Sequence, residues 1–414
     1  MVLKILEINA VCQSGSTGRN MVEIAEFLEE KQIECWIAHS SNRHYKNEYI
    51  IGSPRYNKLH ALLSRITGWQ EIYSVIPTLQ LGYFIWKNNF DVVNLNNIHS
   101  NYLSFPLLMK LLHKWDIPVV LTLHDCWFYT GKCTHYTRDN CFAWKSSCGH
   151  CPRLKKDIPS FCFDFTKHML KQKEKLYQTA AEKLYVVGVS KWISGEAEKS
   201  ILGCAAKITT IYNWVDTNLF RPLENTQSLR EKYGIPSEKR VLLGVAAGWT
   251  EDKGLSDFVR LSDMLPDCYE ILLIGDNTSG FHNRSNIKII GKTDSIEQLA
   301  EYYNLADCFL SLSEEESFGK VVAEALACGT PVIVYNSTAS PELVGEGCGY
   351  VVEKHDFSAL LNAIESIFLQ SPELYRITCR NFALTNFEKN ENIQKYFELY
   401  CVAVEQARKN KGCI

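Results

Sequence analysis

The sequence lacks the features of membrane-spanning, fibrous and disordered chains. Its 414 residues contain no apolar run long enough to cross a bilayer, no low-complexity tract and no repeat of solenoid length. The first residues read as a β-strand containing a charge and not as a signal peptide, so we expect a cytoplasmic protein. With 46% hydrophobic and 22% charged residues, the composition is that of a globular protein, and the length suits two domains.

Acidic residues are scarce in the first half of the chain and basic residues in the second. Residues 1–220 hold 25 Lys and Arg against 19 Asp and Glu, whereas the remainder holds 19 against 28. A basic surplus suits contact with anionic lipid headgroups at the inner face of a membrane, and ordinary variation between two domains explains it equally well. We expect no nucleic-acid partner.

Strand and helix patterns alternate along nearly the whole chain, which predicts parallel sheets covered by helices. Short β-branched runs predict strands at 2–9, 35–39, 91–95, 119–123 and 185–189, then at 241–247, 270–274, 287–290, 308–312 and 331–335. Helices are predicted near 20–31, 56–88, 254–264, 295–304 and 319–327, with a helical tail. The pattern breaks near 211–222, so we place a hinge there. This predicts an α/β fold of two doubly wound Rossmann-like domains facing a cleft, 1–220 and 221–385. A helical segment, 386–414, is expected to pack back on the first domain.

The most informative segment spans residues 314–331. Glu316 and Glu324 bracket a Ser-Phe-Gly turn and the start of a helix, between two predicted strands. Backbone N–H groups at a helix start bind phosphate and sugar oxygens, and carboxylates accept hydrogen bonds from vicinal hydroxyls. The pattern therefore indicates a nucleotide-sugar site, with Glu314 and Glu315 as its solvated rim.

A second motif lies earlier in the same predicted domain. The strand 241–247 leads into Gly248, and Lys253 and Gly254 follow at a helix start. A lysine in that position is suited to clamping a diphosphate. Alone it reads as a surface lysine, and together with the Glu316 segment it indicates a donor site.

These motifs, in this order, resemble the family 4 retaining glycosyltransferases of GT-B architecture. The resemblance spans nearly the whole chain. Within the family, the chain is similar to the branch that builds capsule, colanic-acid and O-antigen polysaccharides. The matching features are the glycine loop Gly15 to Arg19, His124, Ser190, the Asn213 to Pro222 hinge, Lys253-Gly254 and Glu316 to Pro331.

The resemblance implies a role for each matching residue. Glu316 contacts the hydroxyls of the donor sugar, Glu324 the ribose diol and Lys253 the diphosphate, while His124 lies near the donor sugar. His124, Glu316 and Lys253 are thus the expected catalytic residues, and His99 and His124 the expected acceptor contacts. The remaining donor contacts are expected from Gly15, Ser16, Gly18, Ser190, Gly248, Ser317, Phe318, Gly319 and Lys320.

Several of these residues also have structural explanations. His124 precedes Asp125, so the pair could cap the next segment, and a lone histidine such as His99 is often structural. The glycine loop could be a tight turn without a ligand. Where relatives carry an arginine after Gly248, this chain has Trp249, so one phosphate charge is missing, and Lys320 could compensate.

The sequence also lacks an Asp-x-Asp motif, so we expect no metal on the diphosphate. Charge on the leaving group would be met by Lys253, helix N-termini and the glycine loop. The resemblance implies retention of anomeric configuration, with the leaving phosphate oxygen taking the acceptor proton.

Four of the 16 cysteines lie within 19 residues of an aromatic-rich insertion, 126–152. They are Cys133, Cys141, Cys148 and Cys151. Four thiolates suit a structural zinc ion in a loop without a core of its own. Disulfides and unliganded thiols are the alternatives.

The sequence thus predicts a transferase that moves a sugar from a UDP- or GDP-linked donor to a glycan or polyprenyl-diphosphate-linked acceptor. The alternatives are a sugar-nucleotide epimerase of the same architecture and a non-catalytic nucleotide-sugar-binding scaffold.

Overall fold

A computed structural model describes residues 3–224, 226–276 and 285–412 and divides the chain into two compact units. Unit 1 comprises Met1–Ile211 and Ile393–Ile414, and unit 2 comprises Tyr212–Asn392. These boundaries differ from the predicted breaks after residues 220 and 385. The ring of Tyr212 packs against Phe318 and Phe387, and Val215 N donates to the Phe387 carbonyl, so the segment after residue 211 belongs to unit 2.

Unit 1 is built on a seven-stranded parallel sheet. Its strands are β1 (Lys4–Ile8), β2 (Glu34–His39), β3 (Glu48–Ile50), β4 (Val92–Leu95), β5 (Val119–Leu123), β6 (Leu184–Gly188) and β7 (Lys207–Thr210). The spatial order is β3-β2-β1-β4-β5-β6-β7. The chain thus builds the sheet outward from β1 in one direction and then from β4 in the other. In such sheets ligands bind at the carboxyl ends of the two strands where the order reverses.

Six helices before residue 212 belong to unit 1. They are α1 (Gly15–Glu30), α2 (Pro54–Thr67), α3 (Val75–Asn88), α4 (Phe105–Lys114), α5 (Thr166–Ala180) and α6 (Lys191–Glu198). The helix predicted over 56–88 is two helices, because Gly68 ends α2 with φ of 79°. A Cβ at Gly68 would lie 2.3 Å from the carbonyl oxygen of Phe163, so the chain can turn there only with glycine.

Unit 2 repeats the same topology with six parallel strands. They are β8 (Arg240–Gly248), β9 (Tyr269–Asp276), β10 (Ile287–Ile290), β11 (Cys308–Ser311), β12 (Val332–Tyr335) and β13 (Gly349–Val352), in the order β10-β9-β8-β11-β12-β13. Its helices are α7 (Thr226–Tyr233), α8 (Leu255–Met264), α9 (Ile296–Leu305), α10 (Lys320–Ala327), α11 (Phe357–Leu369), α12 (Pro372–Phe387) and the start of α13 (Lys389–Gly412). Here the order reverses between β8 and β11.

The boundary between the units falls inside α13, whose part from Ile393 onward belongs to unit 1. Tyr400 on this helix donates a 2.6 Å hydrogen bond to Glu7 on β1, in the centre of the sheet. The prediction that the C-terminal segment packs on the first domain is confirmed. Among the described residues, no helix combines the length and the apolar character needed to cross a membrane.

Candidate active site

Lys253 and Glu316 meet at the carboxyl ends of the two strands where the order reverses in unit 2. Lys253 follows β8 and Glu316 follows β11. The Nζ of Lys253 lies 2.5 Å from Oε1 of Glu316, and both side chains are partly exposed to solvent. Two of the residues that the sequence predicted for donor binding therefore form an ion pair at the position where this fold binds ligands.

Backbone contacts fix the two loops that carry this pair. The N–H of Glu314 donates to the Asp252 carbonyl, and the N–H of Glu316 donates to Oγ1 of Thr338 at 2.8 Å. Gly254 has φ of 80°, and a Cβ there would lie 2.6 Å from the carbonyl oxygen of Leu312. Only glycine allows this close approach, which brings Lys253 to Glu316.

Helix α10 begins directly after the Ser317-Phe318-Gly319 turn. Gly319 is its N-cap with φ of 95°, so the first N–H groups of the helix have no side-chain cap from that residue. The side chain of Phe318 is buried, and its ring packs against that of Phe387 with centroids 5.5 Å apart. Ser317 and Lys320 are half-buried. Gly248 is the last residue of β8 and follows a β-bulge in that strand.

Glu324 is buried on α10. Its Oε2 accepts a 2.9 Å hydrogen bond from the hydroxyl of Tyr303 on α9. The side chain is 5% exposed, so the structure gives this carboxylate an internal partner. Its assignment to the ribose stays a prediction.

One expectation for unit 2 is corrected. Glu315 is not part of a solvated rim, because it is buried, while Glu314 is half-buried. Trp249 is also buried, and its ring packs edge-on against Phe258 with centroids 5.2 Å apart. The tryptophan that replaces the expected arginine is therefore a core residue.

In unit 1 the glycine loop is the first turn of α1. The helix begins at Gly15 and not near residue 20, and its N-cap Ser14 makes no side-chain capping bond. Gly18 packs tightly, because a Cβ there would lie 3.3 Å from the carbonyl oxygen of Val11. Gly15, Ser16 and Gly18 thus present a helix N-terminus beyond β1, an arrangement suited to anions.

His124 follows β5 and belongs to a buried chain of hydrogen bonds. Its Nε2 lies 3.0 Å from Oδ1 of Asn96. The amide nitrogen of Asn96 donates to Glu7 at 3.0 Å, and Glu7 accepts from Tyr400 as well. Because the Asn96 nitrogen faces the Glu7 carboxylate, its oxygen faces His124 and accepts the Nε2 proton. Burial raises the pKa of Glu7 to about 7, although its hydrogen bonds oppose that shift.

His99 pairs with Asp125, one residue after His124. Its Nε2 lies 2.6 Å from Oδ2 of Asp125, and Oδ1 of Asp125 accepts from the N–H of Trp127. Burial opposes a charged His99, but the Asp125 carboxylate, together with Glu71 and a backbone hydrogen bond, outweighs burial and raises the pKa of His99. Asp125 therefore pairs with His99, whereas His124 pairs with Asn96.

The sequence reasoning missed Glu7 and Asn96 as members of this site. The available signal was a polar residue inside or directly after an otherwise apolar buried strand, as at Glu7 in β1 and Asn96 after β4. Ser190 is the N-cap of α6, where its Oγ accepts from Ile193 N at 3.2 Å. Its contact with the donor stays a prediction.

The four clustered cysteines line one cavity of about 20 Å³, enough for one water-sized occupant. A hydrogen bond from Cys133 lowers the pKa of Cys151 to about 7. The Nζ of Lys132 stabilises the loop by donating to three backbone carbonyls, those of residues 154, 156 and 158.

The described cysteines form no disulfide, and no group of three or more His, Cys, Asp or Glu in the described ranges has the geometry of a metal site. The zinc assignment stays a prediction.

Comparison with known proteins agrees with this architecture. Residues 17–219 match the family model described as Glycosyltransferase Family 4, and residues 225–382 match the model described as Glycosyl transferases group 1. The two parallel-sheet units define the GT-B class. The chain belongs to the glycosyltransferases of this group 1 and family 4 type, and it is an enzyme of that class.

Three similar proteins illustrate the relationship. The N-acetyl-alpha-D-glucosaminyl L-malate synthase of Bacillus anthracis is 27% identical over 47% of this chain and 53% of its own length, so the match spans about half of that relative. The putative colanic acid biosynthesis glycosyl transferase WcaC of Escherichia coli is 24% identical over 68% of this chain and 67% of its own length. The crystal structure of HepE from Anabaena in complex with UDP has a TM-score of 0.67 at 16% identity, and the alignment covers 97% of this chain and all of that one.

Proposed function

We propose that the protein is a retaining glycosyltransferase that uses a UDP- or GDP-linked sugar and a lipid-linked surface-glycan acceptor. The observation that carries the proposal is the Lys253–Glu316 pair, which lies at the reversal point of the unit 2 sheet. A cation and a carboxylate at that position match the two ends of a nucleotide sugar, which presents a diphosphate and a ring of hydroxyls.

Lys253 is suited to meet the negative charge that grows on the leaving diphosphate. Its ammonium pairs with the Glu316 carboxylate at 2.5 Å. A diphosphate offers the ammonium stronger partners, and Glu316 then accepts hydrogen bonds from sugar hydroxyls. The start of α10 adds backbone N–H groups on the same side of the sheet. We assign no catalytic metal to this reaction.

In unit 1, His124 is suited to orient the reacting sugar. Asn96 holds its ring through Nε2, which fixes the tautomer. We assign the deprotonation of the acceptor hydroxyl to the leaving phosphate oxygen. The names of the colanic-acid relative and the UDP complex support the donor and acceptor classes.

The first test measures transfer with purified full-length protein. A panel of nucleotide sugars is screened by thermal shift, and the donor that stabilises the protein is incubated with lipid-linked acceptors. Glu316→Gln should lower kcat about 100-fold or more, because the carboxylate is lost at the reacting sugar. The matched control is Glu346→Gln, an exposed carboxylate of the same unit. Equal activity of the Glu316 variant and the control would refute the site.

A second measurement separates the alternatives. The anomeric configuration of the product is read by NMR, and an inverted product would contradict retention. Conversion of the donor sugar without any acceptor would identify an epimerase. Tight donor binding with no turnover on any acceptor would identify a binding scaffold.

A further inference from the structure

Two successive helices of unit 1, α2 and α3, carry an unusual concentration of exposed apolar side chains. On α2 the exposed residues are Tyr56, Leu59, Leu62 and Ile66, whereas its buried residues are the polar His60 and Ser64. At 100° per residue the four apolar side chains fall within an arc of about 120°. The helix therefore turns its apolar face outward and its polar face inward, the reverse of an ordinary surface helix.

Helix α3 repeats this arrangement. Val75, Ile76, Leu79, Tyr83 and Trp86 are all exposed, by 44 to 60%, and fall within an arc of about 100°. The opposite side of the helix is buried through Thr78, Leu81 and Ile85. Helix α3 therefore has two apolar sides: one is buried against the protein, and the other is exposed to solvent.

Two further rings lie beside the end of α2. The N–H of Phe161 donates to the Arg65 carbonyl at 2.8 Å, and the carbonyl of Phe163 lies against Gly68. Phe161 and Phe163 are 59% and 56% exposed. We name these two phenylalanines together with the exposed apolar residues of α2 and α3 the α2–α3 surface.

The α2–α3 surface holds eleven of the twenty large apolar side chains that are exposed among the described residues. Singly exposed apolar residues are ordinary, but a concentration of this kind marks a binding surface. Three of its eleven members are tyrosine or tryptophan, which have an apolar body and a polar tip and favour the boundary between lipid and water.

The charges around this surface have one sign. Arg55, Lys58, Arg65 and Lys87 are exposed on the two helices, and the only acidic residue between positions 54 and 88 is Glu71, which is buried. A second copy of this chain packed face to face would bring these positive charges together without an acidic partner from the helices. The positive charge of this surface instead matches an anionic partner.

We propose that the α2–α3 surface docks unit 1 on a membrane that contains anionic lipids. Amphipathic helices with lysine and arginine at the edge of a leucine- and tryptophan-rich face lie in the plane of the lipid headgroups. The apolar side chains enter the acyl boundary, and the four basic residues pair with lipid phosphates. This proposal does not depend on the identity of the sugar donor or on catalysis.

The test is co-sedimentation of the full-length protein with two kinds of vesicle. One contains phosphatidylcholine alone, and the other contains about 30% phosphatidylglycerol, which makes its surface anionic. The wild type should bind the anionic vesicles and release them as salt is raised. Leu79→Ser with Trp86→Ser should weaken binding about tenfold or more, because both side chains are exposed and contribute only when buried in lipid. The matched control, Leu369→Ser with Leu374→Ser, removes two exposed leucines of unit 2 and should bind as the wild type does.

Charge is tested separately. Lys58→Gln with Lys87→Gln should weaken binding to anionic vesicles about fivefold for each charge, whereas Lys31→Gln with Lys207→Gln, two exposed lysines elsewhere in unit 1, should have no effect. Equal binding by the surface variants and their controls would overturn the proposal. So would the absence of vesicle binding together with a dimer, seen by analytical ultracentrifugation, that Leu79→Ser with Trp86→Ser dissociates.

Discussion

Replacing Glu7 with glutamine should remove a pH dependence from the stability of unit 1. The carboxyl group of Glu7 is fully buried between β1 and α13. Burial raises its pKa from 4.5 to about 7, against the opposing effect of its hydrogen bonds. Between these two values the folded state holds a proton that the unfolded state has released, so stability falls as pH rises from about 4.5 to about 7.

The size of the effect follows from the two pKa values. A difference between 4.5 and about 7 corresponds to about 3 kcal/mol, lost across that range and constant above it. Glutamine preserves the contacts, because its amide oxygen can accept from Asn94 and Asn96 and its amide nitrogen can donate to the Tyr400 hydroxyl. The variant should therefore gain up to about 3 kcal/mol relative to the wild type between pH 4.5 and pH 8.

Urea unfolding followed by circular dichroism at several pH values measures this difference. The transition that moves should be that of unit 1, because Glu7 and Tyr400 both belong to it. Glu30→Gln, an exposed carboxylate of α1, is the control and should leave the pH profile unchanged. Parallel profiles for the wild type and Glu7→Gln would refute the assignment of a raised pKa to Glu7.

Three other predictions concern single contacts. Gly254→Ala should destabilise unit 2 by about 2 kcal/mol, because its Cβ meets Leu312 in a left-handed backbone conformation, whereas Gly234→Ala has open space and should cost only about 1 kcal/mol; thermal unfolding compares them. Asp125→Asn should lower the pKa of His99, since the strongest interaction that opposes burial is then lost and only Glu71 and a backbone hydrogen bond still raise it; an NMR titration of the imidazole that finds the same pKa in both proteins contradicts the pairing. Metal analysis of the purified protein should find one zinc per chain, and alanine at all four clustered cysteines should abolish it; less than a tenth of an equivalent in the wild type removes the zinc assignment.

Two strands have the bounds that the sequence predicted. Strand β5 is buried along its whole length, and its continuous β-branched run leaves few alternatives. Strand β10 also has the predicted bounds, although it lies at the edge of its sheet and is only partly buried. Strands β3, β7 and β13 were missed. Each lies at an edge of its sheet and is only partly buried, so its residues carry no continuous apolar run.

The candidate site was predictable only where one local motif contains the chemistry. Lys253 and Glu316 were found because glycine turns and a helix start mark their loops. Their contact depends on loops 63 residues apart. Glu7 and Tyr400 are 393 residues apart, and no local pattern relates a strand residue to a helix residue at that distance.

The return of α13 to β1 has a consequence for biosynthesis. The first strand is made before unit 2, yet the helix that covers its buried carboxylate is made after unit 2. Unit 2 is one continuous stretch and is complete before that helix emerges. Of the two units, the one begun first is therefore finished last, and until α13 is made the apolar surface that this helix covers stays exposed, which favours aggregation.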